Sequence, residues 1–184
     1  MNKLLIGILA VLALGAFYVF GAYNNLVTMN EGIDGQWAQV ESQYQRRFDL
    51  IPNLVASTQG VLKQEQAVFG AIAEARTRYA GAGTPDEKAA AASDVESALS
   101  RLLVIVENYP QLKSSETVQT LMTQLEGTEN RIAVERQRFN DQVRSYNTKV
   151  KTVPTSLIAG WFGFDARNYF EAAEGTDVAP QVEL

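Results

Sequence analysis

The side chains in this sequence that could do chemistry fall into two groups of charges. Arg46, Arg47 and Asp49 stand just ahead of Pro52-Asn53, while Glu65, Glu126, Glu129 and Arg131 interrupt or flank apolar helical stripes. The first group suits a helix boundary. Arginines complement the negative C-terminal pole of one helix, and Asp49 helps cap the next. A docking patch at the tip is the functional alternative. In the second group, a buried Glu65 needs a partner, because an unpaired buried carboxylate costs several kcal/mol or protonates. The expectation is a pair or polar layer with Arg131 or its neighbours that fixes helix register, with a ligand-binding carboxylate as the sharper reading.

The sequence contains no His and no Cys. That removes the commonest general base, most zinc and haem ligation, disulfides and thiolate chemistry. No acidic run resembles a Mg²⁺ or Ca²⁺ loop, so neither metal nor cofactor is expected. Gly81-Ala82-Gly83 follows a helix and lacks the strand and third glycine of a phosphate cradle. No nucleophile elbow is present. No catalytic residue is assigned, and a non-enzymatic protein is expected. The net charge of −5 comes without any basic cluster beyond Arg46-Arg47, which argues against nucleic-acid binding.

The elements that position these residues begin with an uncharged stretch, Leu4 to Ala22. As a helix it spans roughly 28 Å, the thickness of a bilayer's hydrocarbon core. Both small-x-small sites at its end carry a bulky residue at −3, and Phe17, Tyr18, Phe20 and Tyr23 form an interfacial aromatic belt. A retained anchor contacting lipid through residues 4–22 is therefore expected over a cleaved signal peptide. Lys3 precedes the span and Glu31 and Asp34 follow it, with no basic residue until Arg46. This asymmetry places the N-terminus in the cytoplasm and the remainder outside, the periplasm in a diderm bacterium.

Beyond the anchor, apolar residues keep a three-four spacing. Leu26, Met29, Ile33, Trp37, Val40, Tyr44, Phe48 and Ile51 form the first stripe, continuous with the anchor. Pro52 is read as a tight reversal, or at least a kink. A second helix carries Leu54, Val61, Val68, Ile72 and Tyr79. A third starts at Thr84-Pro85-Asp86-Glu87, a capping box with proline at N1, and stops at Pro110. The fourth opens at Ser114-Ser115-Glu116 and runs from Val118 to Val150. The expected fold is all-α: a transmembrane helix (residues 1–22), an antiparallel up-down four-helix bundle (23–153) and an aromatic-rich tail (154–184) at the membrane-proximal end. Gly127 inside the fourth helix signals close packing or a small pocket. Trp161, Phe162 and Phe164 form either a plug closing the bundle or an interfacial foot.

The motifs carrying these features resemble the LemA family. Arg46-Arg47-Phe48-Asp49-Leu50-Ile51-Pro52-Asn53-Leu54-Val55 is the most diagnostic piece. Tyr23-Asn24-Asn25-Leu26-Val27, Tyr109-Pro110-Gln111-Leu112-Lys113, Leu125-Glu126-Gly127-Thr128-Glu129-Asn130-Arg131-Ile132-Ala133 and Phe162-Gly163-Phe164 add to it. Glu135 and Gln137 depart from the family's usual pattern. The resemblance implies a membrane-anchored helical protein without an established enzymatic activity, and leans toward membrane remodelling or organelle assembly. The leading expectation is a single-pass inner-membrane scaffold, self-associating as a homo-oligomer and open to other envelope proteins. The rival is a ligand-binding or sensory bundle with a pocket near Glu65, Gly127 and Arg131. With three residues ahead of the span, such a sensor has to signal through a membrane partner.

Overall fold

The computed structural model describes residues 3–62 and 65–170, and every regular element among them is a helix. The stretch 171–184 of the expected tail lies outside the described residues. The first helix, α1 (Lys3–Gln59), runs 57 residues without a break at Ala22 or at Pro52. Its N-terminal part is exposed all round, with Leu4, Phe17 and Phe20 facing outward. Among the described residues it is the one helix long and apolar enough to cross a membrane.

The reversal expected at Pro52 is not there. A proline in a helix interior costs about 3 kcal/mol. Against that, Ile51 and Leu54 on either side of it are almost fully buried, and each such side chain contributes roughly 1.5–3 kcal/mol. Thr58 extends the same buried stripe and folds its hydroxyl back onto Leu54 O at 2.9 Å. Pro52 itself sits on the exposed face. Helical packing on both sides therefore outweighs the local defect. The helix ends at Gln59 instead, and a turn follows at Gly60–Val61, where Val61 N and Leu62 N both donate to Thr58 O at 3.0 and 2.9 Å and the Leu62 side chain is buried.

The remaining helices are α2 (Gln66–Gly81), α3 (Pro85–Asn108), the single turn α4 (Pro110–Lys113), α5 (Glu116–Lys151) and α6 (Thr155–Phe162). The capping box forms as its residue types require. Thr84 Oγ1 accepts from Glu87 N at 3.2 Å, and Glu87 Oε2 accepts from Thr84 N and Gly83 N at 3.1 and 2.8 Å. These backbone donors, Gly83 first, hold the Glu87 carboxyl below its ordinary range. Ser115 opens α5 by accepting from Val118 N. The turn α4, which buries Leu112, and the separate α6 extend the sequence reading.

The chain divides into two compact units, to both of which α1 and α5 contribute. Of the described residues, one comprises 3–38 and 137–169; the other comprises 39–62 and 65–136 with Phe170. In the first, Leu26, Ile33, Trp37, Val143 and Tyr146 are buried, and Trp37 meets Phe139 edge-to-face at 5.5 Å. Its C-terminal segment is held by polar contacts. The buried Asn147 amide donates to Arg167 O and accepts from Arg167 N, each at 2.8 Å. The Arg167 guanidinium reaches Asn30 and Asp34 on α1. Gly163 ends α6 at φ 73°, the left-handed conformation that lets Phe164 N close onto Ala159 O at 2.9 Å. In the second unit, the α1 stripe from Val40 to Leu54 is buried, as are Ile72, Val95, Leu99, Leu102, Val118, Leu125 and Ile132.

Candidate functional site

The second unit contains a charged cluster assembled from three helices. Tyr44 and Arg47 come from α1, Glu96 from α3, and Glu129 and Arg136 from α5. Each charge occupies a position in an apolar stripe. Arg47 lies between Tyr44 and Ile51, Glu96 between Ala92 and Leu99, Glu129 between Leu125 and Ile132, and Arg136 between Ile132 and Phe139. Helical spacing alone thus directs all four inward. Arg47 donates to Glu129 and lies 3.6 Å from Glu96. Arg136 pairs with Glu96 and donates through Nε to the Tyr44 hydroxyl at 3.0 Å. Its guanidinium also lies over the Phe170 ring, 4.5 Å from the centroid, and 5.3 Å from that of Tyr44.

Two cations face two anions, so the cluster is formally neutral. Burial nonetheless raises the Glu96 carboxyl above its ordinary range, because Arg136 and Arg47 offset desolvation only in part and Glu129 adds repulsion. For Arg136, burial is outweighed by Tyr44 and Glu96, and the guanidinium is held more firmly protonated. The Tyr44 hydroxyl is pushed up by burial against the pull of Arg136. Arg47 Nε is buried without a hydrogen-bond partner. Paired in this way, the four charges join α1, α3 and α5. They neutralise one another instead of facing an open site.

The sequence-derived candidates are distributed differently from this cluster. Arg47 and Glu129 belong to it. Arg46, Asp49, Pro52 and Asn53 lie within α1 rather than at a helix boundary, because the helix continues to Gln59. Arg46 and Asn53 are exposed, and Asp49 accepts from Gln45 Nε2 at 2.9 Å, one turn earlier. Glu65 occupies the N-cap position of α2, in the turn, not on a helical stripe. Glu126 and Arg131 are exposed on α5, and no ion pair joins Glu65 to Arg131 among the described residues. Gly127 is also exposed, and a Cβ there meets nothing within 4 Å, so it marks neither close packing nor a pocket. Gly127→Ala is accordingly expected to raise stability by roughly 0.5–1 kcal/mol, read as a higher melting temperature in nanodiscs. Trp161 and Phe162 are exposed, and Phe162 and Phe164 flank the Tyr23 ring at 4.9 and 5.6 Å.

Tyr44, Glu96 and Arg136 were not singled out from the sequence, although each breaks or ends in polarity on an otherwise apolar stripe. The signal that drew attention to Glu65 applies to them with more force. Beside the cluster, Tyr44, Phe48 and Tyr79 form an aromatic group with centroids 4.6 to 5.9 Å apart. Phe48 and Tyr79 line a groove of about 590 Å³ with Gln45, Arg76 and Lys88. Lys88 is paired with Glu41, and the Tyr79 hydroxyl is buried without a partner.

Comparison with known proteins places the chain in a family. The LemA family model matches residues 36–184. Magnetosome protein MamQ 2 of Paramagnetospirillum magneticum is 29% identical over 208 aligned positions, covering 97% of this chain and 76% of the relative. Magnetosome protein MamQ of Magnetospirillum gryphiswaldense is 30% identical over 205, covering 95% and 75%. With its apolar first helix and all-helical body, the chain is a membrane-associated helical protein that belongs to the LemA family.

Proposed function

We propose that this protein is a non-enzymatic, single-pass inner-membrane scaffold whose extracytoplasmic up-down helical region self-associates. The N-terminus is cytoplasmic in this reading, by the charge asymmetry around the span. The observation that carries it is an exposed apolar trough on α2 and α3. Val68, Val104 and Ile105 line it with Ser100 and Arg101, and Val104 is 60% exposed. The charges of the cluster, Arg47, Glu96, Glu129 and Arg136, are meanwhile paired with one another. The relatives support an assembly role, since they are named for a cellular body, the magnetosome, rather than for a reaction.

The test is mass by light scattering of the full chain in mild detergent and in nanodiscs. A discrete oligomer that Val104→Glu reduces to monomer is the expected result. A monomer at all concentrations, crosslinked in membranes to one recurring protein, would replace self-assembly with a hetero-complex. A sensory reading is favoured by one feature, the unpartnered Tyr79 hydroxyl beside the Phe48 groove. A ligand that raises the melting temperature of the wild type but not of Tyr79→Phe would select it.

A further inference from the structure

We infer that residues 149–164 form a second membrane contact, a lipid-interface foot beside the membrane helix that favours anionic headgroups. Everything that follows lies within the unit of residues 3–38 and 137–169, and it rests on the membrane insertion of α1 but not on self-association. The Tyr18 hydroxyl lies 3.4 Å from Thr155 Oγ1, and Tyr23 contacts Phe162 and Phe164 edge-to-face. These contacts fix the depth of α6. It lies alongside the stretch of α1 from Tyr18 to Tyr23, roughly 7 Å long at helical rise. That stretch is the end of the apolar span, where the aromatic belt of an inserted helix meets the headgroups.

One side of α6, Ile158 and Ala159, is buried against the protein. On another side, Leu157 and Trp161 stand one turn apart and are 64% and 79% exposed, and Val153, in the turn ahead of α6, is 78% exposed. Phe162 is exposed as well. Large exposed apolar side chains on α6 and in the turn before it, on the segment held against the end of a membrane span, continue the apolar surface of that span. The occupant that suits this position is the acyl-headgroup boundary, which receives Trp and aliphatic side chains together. Lys149 and Lys151 are exposed in the last turn of α5, at the start of this segment. Neither forms an ion pair among the described residues. Long lysine stems extend past apolar surface to place their charge among lipid phosphates, and each lysine at such a surface favours anionic lipid by about five-fold.

The experiment reconstitutes the full chain into vesicles of phosphatidylcholine, alone or mixed with phosphatidylglycerol, with flotation as the independent check that α1 is inserted. Trp37 and Trp161 are the two tryptophans, so the Trp161 component is the difference between wild type and Trp161→Phe. Loss of that component to acyl-brominated lipid, together with protection from aqueous iodide, is the expected result. Spin-labelled phosphatidylglycerol should associate with the protein in preference to phosphatidylcholine, and Lys149→Gln/Lys151→Gln should reduce that preference several-fold. Quenching of Trp161 by iodide alone in a floated, inserted protein would overturn the foot. Shielding from both quenchers would also overturn it, assigning these side chains to a protein surface instead. Neither result depends on the oligomeric mass, so failure here and failure of the scaffold reading are separate outcomes.

Discussion

Arg47→Met should destabilise the helical region by about 2–4 kcal/mol, the largest loss expected from a single substitution on the charged cluster. Arg47 is 6% exposed and holds Glu129 while standing 3.6 Å from Glu96. Its removal leaves Arg136 alone against two carboxylates that already repel each other. The expected loss stays below the full range for a broken buried pair, because 42% of the Glu129 side chain is exposed and water screens it. The variant's sensitivity to pH separates this cause from simple loss of packing. Glu96 is raised in the folded state, so between the ordinary carboxylate value and its own the folded protein binds the extra proton. In that window stability rises as pH falls, and it is lost as pH climbs through the folded value. Without Arg47 the Glu96 value moves further up, so the deficit measured near neutrality should shrink on acidification toward that window. Melting curves in nanodiscs across this range provide the check. A deficit independent of pH would assign Arg47 a packing role only. Adding Glu129→Gln to Arg47→Met should recover part of the loss, and strict additivity would exclude a direct coupling.

How much of this was legible depended on whether a signal was local. The capping box at Thr84–Glu87, the stop of α3 ahead of Pro110 and the Ser115 start of α5 were read correctly, because each rests on residues within a turn or two. Pro52 was over-weighted. Its cost is a local quantity of known sign, whereas the burial of Ile51 and Leu54 that overrides it is tertiary. The weaker marker that did hold the turn, Gly60 followed by the buried Leu62, was masked by the stronger-looking proline. That one error moved Leu54–Gln59 from α1 into an expected second helix and put Glu65 on a stripe where it does not belong. The principle applied to Glu65 was sound. Glu96, Glu129 and Arg136 each lie four residues after and three before a buried apolar side chain, and they are the charges that turn inward. The clamp between Asn147, Arg167, Asn30 and Asp34 was beyond reach of the sequence, since its partners are 20 to 137 residues apart and none interrupts a pattern.

Pro52→Ala should stabilise the protein, by on the order of 2 kcal/mol or several degrees in melting temperature. A proline within α1 supplies no N–H to the carbonyl one turn back, that of Phe48, and its ring crowds the same group. Alanine restores the donor and has the best helix propensity, while the exposed position means that no core contact is lost. Part of the nominal 3 kcal/mol is given back, because the unfolded chain becomes freer without the proline ring. A proline opening a new helix after a reversal predicts the opposite sign. There it has no hydrogen bond to lose and its fixed φ is an advantage, so alanine would cost up to about 1 kcal/mol. The direction of one melting shift therefore discriminates between a continuous α1 and a turn at Pro52. Gly60→Pro supplies the complementary arm. Val61 N and Leu62 N close the turn on Thr58 O, but a proline at 60 would disfavour the helical conformation of Gln59, the last residue of α1. Stabilisation at 52 with destabilisation at 60 fixes the reversal where the structure has it, after Gln59, with the diagnostic Arg46–Val55 segment inside a helix. That segment then reads as an internal stripe whose Arg47 reaches Glu129, and its exposed residues Arg46, Asp49 and Asn53 lie along the side of α1 rather than at a tip.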